Sequence, residues 1–308
     1  MINRVLIRLK IVQIVYAYYQ NGGKNIDIAE KELFYSLSKA YDLYNYLLLL
    51  IVAITQYANK KIELGKSKFL PTKEDLNPNM KFANNRFAIQ LESNVQLADF
   101  VNSKKKNWDN NEEIIKSLYN KIIESDIYNA YMEDTESSYA ADREFWRKIY
   151  KNFICNNSEL DSLLEEESLY WNDDKEIVDT FVLKTIKRFD PANGAEQELL
   201  PEFKDEEDKD YAKKLFRYTI LNAEQYRELM NQNTRNWEMK RLSFMDIIIM
   251  QIALAEITSI PNIPINVTIN EYLEISKLYS TPKSPSFING MLDNIVNQLK
   301  KAGKLLKN

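Results

Sequence analysis

The residue types available for chemistry limit the function before any fold is considered. The chain has 308 residues, no histidine and one cysteine, Cys155. Histidine is the commonest general base and metal ligand, so its absence closes Ser-His-Asp, Cys-His and histidine–metal schemes. A single cysteine supports neither an intramolecular disulfide nor a cysteine-based zinc site. We interpret Cys155 as a small buried apolar residue.

Nucleotide chemistry of the common kinds is excluded as well. The sequence contains neither GxxxxGK[ST] nor GxGxxG, the loops that cradle phosphates. Carboxylate-only catalysis is formally open, but among 45 Asp and Glu residues a close pair is more often a solvated face. These absences disfavour the common classes of enzyme, and no cofactor or metal is predicted.

Composition predicts an all-α protein. Six Gly and eight Pro are too few for the turns of an all-β protein, and the 45% hydrophobic content allows a sizeable core. The longest apolar run, residues 46–54, is shorter than the roughly 20 residues of a membrane span. Arg4, Arg8 and Lys10 are scattered through the first apolar segment, which predicts a structured helix rather than an export signal. The expected location is cytoplasmic, without membrane crossing.

Apolar periodicity predicts helices along most of the chain. The predicted helices are residues 2–19, 28–61, 86–101, 112–131, 142–166, 177–189, 241–257, 268–279 and a last one from 284. Residues 156–210 carry 18 acidic against 6 basic residues, so this acidic belt conceals a remainder of net +8 in a chain of net −4. RNA binding is therefore not excluded, although strong nonspecific binding is disfavoured.

Two helical segments, 145–166 and 211–232, resemble each other in the order of their apolar residues, Asn and Glu. Chance similarity of two amphipathic helices and a duplicated helix are both open.

The final hundred residues have the most specific features. The helix at 241–257 is apolar almost all round, which predicts a central position in a bundle. Thr268 and Glu271 fit a capping box that begins the next helix. Ser284 as N-cap with Pro285 at the first position predicts the last helix. Gly290 inside that helix predicts close backbone packing.

These features resemble the NusB family, with good agreement in the C-terminal half and at the first helix. The matching residues are Asn236-Trp237, Arg241, Asp246, Glu256, Pro264, Val267-Thr-Ile269-Asn270-Glu271, Lys277 and Phe287-Ile-Asn289-Gly290-Met-Leu292-Asp293, with Arg4, Arg8 and Gln13-Ile-Val15-Tyr16 near the start. Two departures stand out. The first-helix arginines are reduced to Arg4 and Arg8, and Gln251 stands where many relatives have Arg.

The resemblance implies a NusB-like helical bundle with an additional helical insertion. The expected organisation is N-terminal bundle helices at 1–60, a largely helical insertion with the acidic linker at 61–205, and the C-terminal bundle at 206–308. The implied function is noncatalytic transcription antitermination in ribosomal-RNA transcription and ribosome assembly. The implied partners are a boxA-like single-stranded RNA, the small-subunit ribosomal protein that acts as NusE, and the RNA polymerase antitermination complex.

The same resemblance implies which residues make contacts. Arg4, Arg8, Lys283, Ser284 and Phe287 would bind RNA. Two arginines four apart share a helix face, and a helix N-terminus attracts phosphate.

Tyr16, Lys240 and Asp246 would bind the protein partner by the same resemblance. Some of these residues also have a purely structural interpretation. Arg4 and Arg8 would then form a salt-bridged stripe, Phe287 would pack in the core, and Asp246 would have a local structural role.

Two other function classes remain. The first is a helical protein–protein scaffold that keeps the NusB-like fold without RNA binding. The second is an RNA methyltransferase with a NusB-like domain, which is disfavoured because no glycine-rich cofactor loop occurs and the NusB-like pattern runs to the C-terminus.

Overall fold

The computed structural model describes residues 1–234 and 242–305. Within these ranges the chain forms α-helices and short 3₁₀ and π turns, and its only β-type pairing is one isolated bridge between Ile2 and Phe203. The prediction of an all-α fold is confirmed.

The helices agree in broad position with the apolar periodicity. In chain order they are α1 (Arg4–Gln20), α2 (Ile26–Lys66), α3 (Lys73–Leu76), α4 (Arg86–Glu92), α5 (Val95–Lys104), α6 (Glu112–Ile123), α7 (Asp126–Glu133), α8 (Tyr139–Ile149), α9 (Ser158–Glu167), α10 (Lys175–Arg188), α11 (Glu206–Leu221), α12 (Ala223–Asn233), α13 (Phe244–Ser259), α14 (Ile265–Tyr279) and α15 (Ser284–Lys301).

The chain divides into two compact units. The terminal unit comprises Ile2–Leu37 and Phe203–Asn308, and the central unit comprises Met1 and Ser38–Glu202. The sequence predicted boundaries at 60 and 205 instead. The first structural division falls inside α2, because this one helix continues without a break from Ile26 to Lys66.

The terminal unit is built around α13. Eleven of its sixteen residues are buried, and it packs against α1, α11, α12, α14 and α15. A helix that is apolar on all sides is stable only when other helices surround it. The predicted core face of α15 is also buried, and it consists of Ile288, Met291, Leu292, Ile295 and Leu299.

Helix α2 is long and apolar enough to cross a membrane by length and composition alone. Its most apolar 18-residue window has a mean hydropathy of 1.3, but 72% of that window is buried inside the protein. The core helix of a helical protein has both properties, so the prediction of no membrane crossing stays a prediction.

Three predicted helices, 86–101, 112–131 and 142–166, are interrupted in the structure. At each break a polar side chain caps the following helix: Asn94 accepts from the Leu97 N–H, Ser125 from the Tyr128 N–H, and Asn157 from the Leu160 N–H. Such caps satisfy N–H groups that a new helix leaves unpaired. Local capping therefore outweighs the continuous apolar periodicity.

The two similar segments share more than composition. The first is interrupted between α8 and α9, and the second at Asn222 between α11 and α12. Equivalent positions are buried in both, including Ile149 and Leu215, Leu160 and Tyr226.

Two predicted helix starts need correction. Helix α14 begins at Ile265, after Pro264, so Thr268 is inside the helix and is not its N-cap. Lys283 occupies the cap position of α15, and the Ser284 hydroxyl accepts from the Thr281 N–H rather than capping the helix. In both cases the hydroxyl donates a hydrogen bond to a buried carboxylate instead: Thr268 donates to Glu256, and Ser284 donates to Asp246.

The prediction of close backbone packing at Gly290 is wrong. Gly290 is exposed, and a Cβ added there meets no atom within 4 Å. Its conformation is not in the left-handed region that favours glycine.

We predict that Gly290→Ala stabilises the protein by about 0.5–1 kcal/mol, because alanine loses less backbone entropy in a helix. Equilibrium urea denaturation followed by circular dichroism measures the change. Gly194→Ala is a control of opposite sign, since that residue also has open space but a φ of +51°. A destabilised Gly290→Ala protein would show that the site needs glycine.

Candidate nucleic-acid and partner interface

One of the two arginines predicted to act from the first helix, Arg8, lies against a buried carboxylate, Glu256 of α13. Arg8 donates from Nε to Glu256 Oε2 at 2.9 Å and from Nη2 to Oε1 at 2.8 Å. Arg8 is 3% exposed and Glu256 is fully buried. The two side chains form a bidentate ion pair, the strong geometry for arginine and carboxylate.

Hydroxyl groups from two further helices complete the coordination of Glu256. Tyr211 donates at 2.7 Å and Tyr272 at 3.1 Å to Oε2, while Thr268 donates at 2.8 Å to Oε1. Arg8 Nη1 also lies 3.4 Å from Glu271 Oε2. The network therefore joins α1, α11, α13 and α14 at one buried point.

The pKa shifts follow from this geometry. Burial acts to raise the pKa of Glu256, but the hydrogen bond and charge of Arg8, with the Tyr211 and Thr268 hydroxyls, lower it below its usual 4.5. Burial acts to lower the pKa of Arg8, but the hydrogen bond to Glu256 and the charge interactions with Tyr211, Tyr272 and Glu256 together outweigh it and raise the pKa. Both groups are charged at neutral pH.

Arg8 therefore lies in a different environment from the one its spacing suggested. The sequence placed Arg4 and Arg8 on one exposed face, whereas Arg8 is buried and its guanidinium is occupied by two carboxylates. The sequence gives spacing but not burial, and the apolar residues of α1 enclose this arginine. Of the two, only Arg4 reaches solvent, with 32% of its side chain exposed.

Arg4 is held by the acidic belt. Its Nη2 lies 2.8 Å from Glu207 Oε1 and its Nε 3.3 Å from Asp208 Oδ1. Its guanidinium lies 5.2 Å from the Tyr211 ring centroid, within the range of a cation–π contact. Because Glu207 is largely exposed, this ion pair is screened by solvent and is weak.

Asp246, expected at the protein interface, is buried. Its Oδ1 accepts from the Ser280 hydroxyl at 2.5 Å, and its Oδ2 accepts from the Ser284 hydroxyl at 3.0 Å. Its own N–H donates to the Ser243 hydroxyl that caps α13. Asp246 thus fastens the start of α13 to the loop before α15, and Ser284 is 2% exposed within this clip.

Lys283 and Phe287 lie at the outer edge of the clip. Lys283 is exposed at the cap position of α15, and Phe287 is half-buried one turn later. The first turn of an 18-residue helix lies beside them, although the Ser284 N–H donates to the Thr281 carbonyl, the Phe287 N–H donates to the Lys283 carbonyl and Pro285 has no N–H. A cation, an aromatic ring and a helix N-terminus are thereby brought together at the surface.

Tyr16 lies on an exposed aromatic patch. It is 37% exposed, and its ring centroid is 5.7 Å from that of Phe244, which is equally exposed. Phe244 contacts Tyr19 as well, at 6.2 Å. The sequence analysis did not identify Phe244. Its position directly after the N-cap Ser243, at the start of α13, could have indicated a surface residue. Lys240, Trp237 and Arg241 lie outside the described residues.

The predicted residues thus fall into two groups. Tyr16, Asp246, Lys283, Ser284 and Phe287 lie near one end of the terminal unit, where Gln13 of α1 also donates to the Tyr279 hydroxyl at 2.8 Å. Arg4 lies about 18 Å from Tyr16 along α1 at 1.5 Å per residue. In residues 1–234 and 242–305, no three His, Cys, Asp or Glu side chains are placed to hold a metal ion.

We predict that Arg8→Met destabilises the protein by about 3–5 kcal/mol, because it leaves Glu256 buried and uncompensated. The double variant Arg8→Met/Glu256→Leu should lose less than the sum of the two single losses. Urea denaturation of the four proteins measures both quantities. Arg4→Met, one turn away in an exposed pair, should cost less than about 1 kcal/mol. If the stability losses of Arg8→Met and Glu256→Leu simply added in the double variant, the two side chains would not be coupled and the ion pair would not stabilise the protein.

Comparison with known proteins finds similarity in the C-terminal part of the chain, which contains Glu256 and Asp246. The NusB family model matches residues 176–297. The transcription antitermination protein NusB of Salinibacter ruber is 34% identical over 132 residues, covering 41% of this chain and 82% of that protein. Its counterpart in Geotalea daltonii is 33% identical over 135 residues, covering 43% of this chain and 89% of the relative.

A third relative, the protein of that name from Natranaerobius thermophilus, is 40% identical over 84 residues, covering 27% of this chain and 60% of its own length. No solved structure matches the chain. The family match begins inside the insertion expected at 61–205, so most of the central unit lies outside it. The match covers most of the Salinibacter and Geotalea proteins but less than half of this chain. This chain therefore belongs to the NusB family as an enlarged member.

Proposed function

We propose that this chain is a noncatalytic transcription antitermination factor. It binds a boxA-like single-stranded RNA together with the small-subunit ribosomal protein that acts as NusE, and it acts in ribosomal-RNA transcription and ribosome assembly. The observation that carries the proposal is the similarity to proteins named for transcription antitermination, which extends over 82% and 89% of two of them.

The charge of the terminal unit supports an RNA ligand. This unit contains 20 Lys and Arg against 16 Asp and Glu, a net charge of +4, whereas the central unit has 21 against 29, a net of −8. Phosphate binding is driven by cations and by the counterions that they release. The overall acidity of the chain is therefore a property of the central unit.

The edge at the start of α15 is the proposed RNA contact. Lys283 supplies an exposed cation that pairs with no acidic residue in the described part of the chain, and Phe287 supplies a partly exposed ring one turn later. Stacking of a base on an aromatic ring together with phosphate contacts is typical of single-stranded RNA recognition. Arg4 is a separate contact in this proposal, about 18 Å from Tyr16 along α1, and it binds a phosphate that replaces Glu207.

Arg8, Asp246 and Ser284 act indirectly in this proposal. Arg8 is buried against Glu256, and Asp246 and Ser284 are buried against each other. They position the helices that carry Arg4 and Lys283, and they do not touch RNA themselves. This assignment replaces the direct contacts that the family resemblance suggested for them.

The aromatic patch of Tyr16 and Phe244 is the proposed surface for the NusE-type ribosomal protein. Exposed tyrosine and phenylalanine are enriched at protein interfaces because they bury a large area with little loss of side-chain entropy. Lys240 remains part of this proposal through the family resemblance. Assembly into the RNA polymerase antitermination complex implies a cytoplasmic protein with no membrane partner.

One observation favours the alternative of a protein-only scaffold. Both N-terminal arginines are engaged by carboxylates, Arg8 in the core and Arg4 at the surface. A scaffold with the NusB-like fold would keep these pairs for stability alone.

RNA affinity measured as a function of salt tests the proposal and separates it from the scaffold. The wild-type protein should bind a boxA-like RNA, and binding should strengthen when the ribosomal protein is added. Lys283→Ala should weaken RNA binding about three- to tenfold and reduce the dependence of log affinity on log salt by about one. Fluorescence anisotropy with labelled RNA measures both changes.

Two controls sharpen the result. Lys300→Ala removes an exposed lysine from the same helix about 25 Å away, and it should leave RNA binding unchanged. Tyr16→Ala should reduce the strengthening by the ribosomal protein while RNA binding by the chain alone is kept. Absence of RNA binding at micromolar protein, with and without the ribosomal protein, would contradict the proposal.

A further inference from the structure

A basic cavity lies between α8 and α10 of the central unit. Four charged side chains line it: Arg143, Glu144 and Arg147 from α8, and Lys187 from α10. Its volume is about 430 Å³, within the range of pockets that bind small ligands. Three cations face one carboxylate here, whereas the central unit as a whole has 21 Lys and Arg against 29 Asp and Glu. The cavity is therefore a local region of positive charge in an acidic unit.

Only one of the three cations is neutralised by the carboxylate of the cavity. Arg147 donates from Nε to Glu144 Oε2 and from Nη2 to Glu144 Oε1, both at 2.7 Å. In the part of the chain that the structure describes, neither Arg143 nor Lys187 forms an ion pair. Two cations at the cavity are thus left without a counter-charge.

Other carboxylates on or beside the two helices do not supply that counter-charge. Asp142 and Asp179 are buried and accept from tyrosine hydroxyls. Asp190 accepts from a backbone N–H and so caps the 3₁₀ turn that follows α10. Glu176 lies near the start of α10, about 16 Å before Lys187 along the helix. The cavity therefore keeps its positive charge.

The two guanidinium groups are fixed in place and have donors to spare. Arg143 donates from Nη1 to the Phe189 carbonyl at 2.6 Å, which ties the middle of α8 to the end of α10. This bond leaves Nε and Nη2 of Arg143, a pair of parallel donors that matches two phosphate oxygens. Arg147 keeps its Nη1 donors beyond the pair with Glu144. Because both groups are held before a ligand arrives, binding costs less side-chain entropy.

The helix dipole explains only part of this arrangement. Arg147 and Lys187 lie in the last turns of their helices, where the negative end of the dipole favours cations. Arg143 lies in the middle of α8, beyond the reach of this effect. Its bond to the Phe189 carbonyl uses one of three nitrogens. An anion in the cavity would use the other two.

The lining and the surrounding charge favour a small phosphate anion over a nucleic acid. All four lining residues are charged, so the cavity recognises charge rather than an apolar group. Arginine forks and a lysine suit the oxygens of phosphate. A long RNA strand would continue from the cavity over the acidic remainder of the unit, where repulsion opposes it. A short anion with several negative charges avoids this repulsion.

We propose that the cavity between α8 and α10 is a binding site for a small phosphate anion of the diphosphate type, held by Arg143, Arg147 and Lys187. Glu144 limits the affinity of the site, because it repels the anion and occupies two donors of Arg147. The site uses none of the residues proposed to contact RNA or the ribosomal protein. It gives the enlarged part of the chain a ligand of its own.

Isothermal titration calorimetry of the full chain with sodium diphosphate tests the proposal. The wild-type protein should bind one equivalent with a Kd of about 1 mM or below. Lys187→Met should weaken binding at least about fivefold, because it removes an uncompensated cation. Arg143→Lys keeps the charge but loses the paired donors, and it should weaken binding at least about threefold. Glu144→Gln should strengthen binding about threefold or more, because the repulsive carboxylate is gone.

Lys148→Met is the matched control for Lys187→Met. Lys148 is an exposed lysine of α8, but it lines a different cavity, between α7 and α8. Its substitution changes the net charge of the protein by the same amount. Diphosphate affinity should stay within about twofold of the wild type, because solvent screens a charge outside the site.

A parallel titration with a boxA-like RNA separates a small ligand from RNA as the occupant of the cavity. Lys187→Met should leave RNA affinity unchanged while it weakens diphosphate binding. Three results would overturn the proposal. These are no saturable binding of diphosphate up to about 10 mM, equal weakening by Lys148→Met and Lys187→Met, and a loss of RNA affinity in Lys187→Met that matches its loss of diphosphate affinity.

Discussion

Glu256 is a carboxylate without solvent contact, and the terminal unit is arranged to keep it charged. Removal of an ionised carboxylate from water is costly unless all of its oxygens find donors. Here Arg8 supplies two, and three hydroxyls from α11 and α14 supply the others. Because each donor comes from a helix packed on α13, any shift of one helix leaves a buried charge uncompensated. The network therefore specifies how these four helices meet.

This constraint separates the residues that build the fold from those available for recognition. The side chains of Arg8, Asp246 and Ser284 make buried contacts and are not available to a ligand. The residues that reach solvent lie next to these buried contacts. Arg4 extends from the Arg8 network, Lys283 and Phe287 from the Asp246 clip, and Tyr16 from the face of α1 beside Phe244. The proposed RNA and protein contacts thus depend on buried polar groups for their positions.

The sequence predicted the terminal unit well where periodicity is strong, as in α13 and in the core face of α15. It predicted burial and contacts less well where these depend on residues that are distant in the sequence. The spacing of Arg4 and Arg8 is the same whether they are exposed or buried, and no local pattern assigns Tyr211, Thr268 and Tyr272 to one carboxylate. Short caps such as Asn94 and Asn157 divided helices that periodicity joined. The sequence contains no motif for the central unit, so periodicity predicts its helices but not a role.

The ionised state of Glu256 is the most direct test of this account. Its folded pKa lies below the usual value, so its contribution to the free energy of unfolding is complete above pH 4.5 and is lost as the pH falls through the folded pKa. A carbon-13 NMR titration of the Glu256 side-chain carboxyl, assigned with Glu256→Gln, measures this pKa. We predict a midpoint below 4.5. A midpoint at or above 4.5 would show that the carboxylate is not held by Arg8 and would contradict the account.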